Sequence, residues 1–162
     1  MKNIQKEYLQ SAMFGFNDAL VSTTGVIVGI STGTNNKQVV ILAGVVTILV
    51  EALSMGSGQY LSSKSAHQLD KSDSFRVPVI SGLIMFGAYF IAGLVPLLSI
   101  MLAPMSYSRN IAIIAALSCL LVLGYVKGKI VDVPPLKSAI EVFVIGGIAT
   151  VIGIVVGNIF AV

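Results

Sequence analysis

Five apolar stretches, each about as long as a bilayer is thick, tile this chain from one end to the other. They run over about 11–31, 39–60, 77–101, 108–126 and 139–160. A hydrocarbon core about 30 Å thick takes about twenty residues of helix to cross. In hydrocarbon every backbone amide must find its partner within its own segment, so helices are the structure these stretches can adopt. The sequence therefore predicts an all-α integral membrane protein with five transmembrane helices, a single domain over 1–162. Only 10% of its residues are charged and 56% are hydrophobic, whereas a soluble domain is about a quarter charged. No stretch is left over for a second, water-soluble domain.

The breaks between spans carry helix-stopping residues: Gly33, Asn35 and Asn36 after the first, Pro104 after the third, Pro134-Pro135 before the fifth. Pro96 falls inside the third span and is expected to kink it. A cleaved signal peptide is rejected for the first stretch, which runs about twenty residues, contains Asn17 and Asp18, and lacks a convincing small-x-small cleavage site at its end. Cations set the orientation. An N-terminus in the cytosol puts Lys2, Lys6, Lys64, Lys71, Arg76, Lys127, Lys129 and Lys137 on that side, against Lys37 and Arg109 outside. The C-terminus then lies outside.

Several function classes drop out. The net charge of +3 is spread through short connections, which gives no nucleic-acid surface. One cysteine, Cys119, makes neither an intramolecular disulfide nor a Cys-rich metal site. One histidine and no Ser/His/Asp or Cys/His set argue against an enzyme, and no resident cofactor is expected. His67, with Asp70 and Asp73 nearby, reads as part of a solvated loop. Gly56-x-Gly58 ends a span and is no phosphate loop. Glu141 opens the fifth span, where it stays hydrated and suits a helix N-terminus.

Two carboxylates do not fit lipid. Asp18 lies in the first span and Glu51 in the second, with no Lys or Arg inside any span to pair with them. A charge at mid-helix costs about 2.5–3.5 kcal/mol on the lenient insertion scale. Each must be protonated, line a wet cavity or meet an incoming cation. Helical spacing puts Asp18, Ser22, Gly25 and Gly29 on one face of the first span, and Gly25-x-x-x-Gly29 on that face suits close approach of another helix. Gly44, Thr47, Glu51, Met55, Gly58 and Ser62 share a face of the second. Asp18 and Met55 should lie at similar depth, with Glu51 one turn deeper, level with Ser22 and Thr23. Such stripes can line a path for a small cation. Carboxylates alone suit Mg²⁺ or Ca²⁺; a thioether beside them favours Fe²⁺, with Mn²⁺, Co²⁺ or Zn²⁺ also possible.

The same two helices carry a resemblance. Phe14-Gly15-Phe16-Asn17-Asp18-Ala19-Leu20-Val21-Ser22-Thr23-Thr24-Gly25 is similar to the first-helix motif of the vacuolar iron transporter family. Glu51-Ala52-Leu53-Ser54-Met55-Gly56-Ser57-Gly58-Gln59-Tyr60-Leu61-Ser62 resembles its second-helix motif. The resemblance implies a homodimer with the ion path between protomers, metal contacts at Asp18 and Met55, and export of cytosolic Fe²⁺, sometimes Mn²⁺, in exchange for protons. Asn17, Ser22, Thr23, Thr47 and Gln59 are expected to line the path, and Gly25 and Gly29 to pack helices or pair protomers.

The chain departs from the family pattern at four places. The connection over 63–76 replaces a glutamate-rich cytosolic metal-binding domain, Gln59 stands where Glu is frequent, and Ala19 where Gly is common. Glu51 replaces a small residue, so its assignment rests on membrane physics alone. The expected partners are a second copy, the bilayer, a divalent metal and protons. The expected host is the plasma membrane, or a vacuolar or other organellar membrane in a eukaryote. A non-transporting membrane anchor and a passive cation channel are the alternatives.

Overall fold

The computed structural model describes residues 2–34, 36–71 and 75–161. Asn35 and Asp73, singled out above, lie outside the described residues. Five helices account for nearly all of it: α1 Lys2–Gly33, α2 Lys37–Leu69, α3 Arg76–Leu102, α4 Met105–Ile130 and α5 Pro135–Ile159. No strand occurs among the described residues. Each helix is long and apolar enough to cross a membrane.

Helix starts and stops follow local chemistry. Asn36 caps α2, its side chain accepting from the backbone N–H groups of Gln38 at 3.0 Å and Val39 at 3.3 Å. Pro135 opens α5 at a position where a missing N–H costs nothing. After α2 and α4 the chain turns through left-handed residues, Lys71 (φ 50°) and Asp132 (φ 62°), each two positions past the last helical residue. Lys37 donates to the carbonyls of Met101 (3.0 Å) and Ala103 (2.9 Å), fastening the start of α2 to the end of α3. A cation at those unpaired C-terminal carbonyls is favourable. Across the same end, Arg109 of α4 reaches Thr32 Oγ1 of α1 at 3.4 Å.

The helices outrun the apolar windows that mark them in the sequence. α1 begins nine residues ahead of its expected span, and α2 continues nine residues past its own. Hydropathy records what touches lipid; helical backbone continues wherever polar residues still pack on one side. His67 is therefore on α2, not in a solvated loop. Helix α3 continues past Pro96, which is fully buried, to Leu102.

From α2 to α5 the helices pack in chain order, each against the next, and α1 packs against all four. Two buried clusters fill the interior. One joins Ala19, Leu20, Ala52, Tyr89, Ala92, Leu120 and Val142. The other joins Ile27, Val40, Ile48, Leu97, Ile100 and Ala112. Outward-facing residues are just as apolar: Leu42, Leu53, Leu83 and Ile114 are 64 to 66% exposed. Monomeric soluble proteins do not present apolar surface on this scale, whereas a bilayer requires it.

Small residues set the closest contact. Gly25, Gly29 and Gly33 of α1 face Ala149, Gly153 and Gly157 of α5. A Cβ on Gly29 would stand 3.0 Å from the Gly153 carbonyl oxygen, and side chains on Gly153 and Gly157 would run into the carbonyls of Gly25 and Gly29. This is a small-residue crossing of the kind that holds membrane helices together by close backbone approach. The surface read from Gly25 and Gly29 is thus taken up by α5 of the same chain.

Candidate metal-path site

Asp18 of α1 is half-buried, next to Ala19 and Leu20, which are fully buried. Glu51 of α2 is exposed, next to the fully buried Ala52. Ala19 and Ala52 belong to one cluster, and these two alanines bring α1 and α2 close beside the carboxylates. Asp18 and Glu51 lie within electrostatic reach of each other. Among the described residues no hydrogen bond or ion pair caps either one. Two like charges this near each other, with no capping group, attract a cation.

Tyr89 of α3 completes the arrangement, and nothing in the sequence reading had singled it out. It is fully buried, and its hydroxyl shares a 2.7 Å hydrogen bond with Ser22 Oγ, one turn beyond Asp18 on α1. It lies within electrostatic reach of both Asp18 and Glu51. Thr23 is beside the same hydroxyl, though its Oγ1 falls short of hydrogen-bond geometry. With Thr24 Oγ1 it remains buried and unpartnered among the described residues. Buried hydroxyls without partners are uncommon and mark a place where a polar guest is welcome. The available signal for Tyr89 was a tyrosine in the middle of an apolar span, since a buried phenol needs a partner for its O–H.

Met55 is half-buried and packs on the cluster that holds Ala19, Ala52 and Tyr89. The α2 stripe runs from buried to open. Gly44 packs against Ile27 and Leu97, Thr47 and Met55 are half-buried, and Glu51, Gly58 and Ser62 are exposed. Gln59 is half-buried one turn past Met55. Asn17 goes elsewhere, to a hollow of about 270 Å³ between α1, α4 and α5 with Lys127 and Glu141. Among the described residues no group of three or more His, Cys, Asp or Glu side chains is placed to hold a metal.

A groove of about 670 Å³ runs along α1 and α5 past Ser22, Val26, Gly29, Ile152 and Val156. Its lining is apolar apart from Ser22 and Thr34, as suits a packing surface. One of its lining residues, Ser22, is also the hydrogen-bond partner of Tyr89.

The sequence profile of the VIT family matches residues 9–76 and 66–158, two segments that meet in the connection between α2 and α3. The chain is 26% identical to Vacuolar iron transporter 1 of Eucalyptus grandis over 206 aligned residues, covering 89% of this chain and 83% of that protein. It is 28% identical to Vacuolar iron transporter homolog 3 of Arabidopsis thaliana over 162 residues, covering 90% and 80%. Over 83 residues it is 36% identical to Vacuolar iron transporter 2 of Oryza sativa subsp. japonica, covering 51% and 33%. The Eucalyptus alignment is longer than this 162-residue chain, so that relative carries inserted sequence which this chain lacks.

Proposed function

Because the chain belongs to the VIT family, we propose that it carries a divalent transition-metal cation out of the cytosol, Fe²⁺ foremost and Mn²⁺ second, in exchange for protons. One observation carries the reading: Asp18 and Glu51 lie within electrostatic reach of each other, with no cationic partner among the described residues, beside Tyr89 and Ser22. The names of the plant relatives supply the metal. Met55, packed on the same cluster, adds a thioether that favours a softer ion over Mg²⁺ or Ca²⁺.

Proton exchange follows from the ligand type. A carboxylate binds metal only when deprotonated, so each proton that binds Asp18 or Glu51 competes with the ion. A site loaded with metal on one side and with protons on the other couples the two gradients. The homodimer is part of the proposal, supported by the open apolar groove along α1 and α5, on which a second copy can pack. The N-terminus is assigned to the cytosol because of the lysines and arginines at that end. The host is a plasma membrane in a prokaryote and a vacuolar or other organellar membrane in a eukaryote.

The test is flux into proteoliposomes, comparing Fe²⁺, Mn²⁺, Co²⁺ and Zn²⁺ with and without an imposed pH gradient. Fe²⁺ should move fastest, and an opposing proton gradient should accelerate it. Metal flux indifferent to the pH gradient would instead describe a passive channel, and no flux of any ion a membrane anchor.

A further inference from the structure

Away from the Asp18–Glu51 space, at the end of the bundle where α1 begins and α2 ends, a single carboxylate ties three helices together. Glu7 of α1 accepts a short hydrogen bond from Ser63 of α2 through Oε1, and a second at 3.0 Å from Ser81 of α3 through the same oxygen. Its other oxygen, Oε2, stands 3.3 Å from Nε2 of His67 on α2. Ser63 and Ser81 are buried, and the side chains of His67 and Glu7 are 21% and 24% exposed. The two serines hold the carboxylate in place, so Oε2 is presented to the imidazole and not left to swing into solvent.

We infer that Glu7, Ser63, His67 and Ser81 form a proton-sensitive latch that fastens the end of α2 to α1 and α3. The serine bonds exist at any pH at which Glu7 is ionised. The His67 contact changes character, because histidine is the side chain that gains charge between about pH 8 and 5. With the imidazole protonated, the contact is a charge-assisted hydrogen bond, roughly twice as strong as a neutral one. The sign follows: latch strength is greatest on the acid side of the imidazole titration and falls as pH rises through it. It falls again only in acid strong enough to neutralise Glu7 itself.

Other charged groups stand near this end. Lys6 flanks Glu7 on α1; on α2, Lys64 lies 5.7 Å over the Tyr60 ring, and Asp70 and Lys71 follow the helix end. Arg76 opens α3, while Lys127 of α4 and Glu141 of α5 line the separate hollow beside Gln10 and Asn17. His67 is the titratable group that acts on the Glu7 carboxylate. It is also the chain's one histidine, so the part of any pH effect that His67→Gln removes can be assigned to it.

The experiment is a double-mutant cycle on the full chain in nanodiscs, with Glu7→Gln, His67→Gln and the double variant melted at pH 5.5 and pH 8.0. Glu7→Gln keeps the shape, and His67→Gln replaces the ring with a smaller uncharged amide that still hydrogen-bonds, so the helices stay packed. At pH 5.5 the two single losses should overlap, leaving a coupling of about 2–4 °C in melting midpoint, and at pH 8.0 that coupling should fall by at least half. A spin-label distance gives a second reading: labels on Ile4→Cys and Leu69→Cys, in a Cys119→Ser background, sit at the exposed ends of α1 and α2. Their distance distribution should broaden from pH 5.5 to 8.0, and that response should vanish with His67→Gln. Coupling equal at both pH values, or a distribution that ignores pH, overturns the latch. Because neither readout involves metal flux, the result stands apart from the transport reading.

Discussion

Asp18 was legible in the sequence because a carboxylate inside an apolar run cannot be read as lipid contact; ionised at mid-membrane it costs about 2.5–3.5 kcal/mol. Tyr89 was not, because a tyrosine in such a run passes for an apolar residue until its hydroxyl is seen 2.7 Å from Ser22. Glu7 was overlooked for the opposite reason, since a polar N-terminal stretch reads as solvated. It stands eleven residues before Asp18, three turns of helix, and so on the same face of α1. That spacing was the usable signal. Two predictions belong here. Tyr89→Phe removes one oxygen from a fully buried side chain and should leave the fold intact, while lowering metal flux about tenfold or more through loss of the Ser22 contact. Met55→Ala should shrink the thermal stabilisation given by Fe²⁺ or Co²⁺ more than that given by Mg²⁺, in a melting assay with each ion.

At the scale of elements, all five helices were visible as apolar windows, but their ends were not. α1 and α2 extend nine residues beyond those windows because Glu7, Ser63 and Ser81 satisfy one another there. Periodicity found the glycine face of α1 without naming its neighbour, since several helices can accept a small-residue stripe and only packing decides which. The glycines give a paired prediction. Gly153→Val forces a side chain into the Gly25 carbonyl and should destabilise the protein by about 1–3 kcal/mol as α1 and α5 are pushed apart. Gly58→Ala has nothing within 4 Å to strike and should stabilise α2 by up to about 1 kcal/mol. Denaturation midpoints of the two variants against the parent chain check both.

For the whole molecule, one bundle places its polar groups at a few internal points and leaves the outside to lipid. The half-buried Asp18 and the exposed Glu51 stand near Tyr89 of α3, and the apolar groove along α1 and α5 is the surface proposed for a second copy. The mass of the purified complex tests that pairing: a dimer of the 17.0 kDa chain is expected, and Val26→Trp in the groove should shift it toward monomer. The central claim is that Asp18 helps to bind the moving ion, and Asp18→Asn tests it most directly, because the amide keeps the shape and removes the charge. Proteoliposomes holding equal amounts of folded parent and variant should differ completely in Fe²⁺ uptake, with the variant at the level of empty liposomes. Uptake by Asp18→Asn at the parent rate would contradict the account.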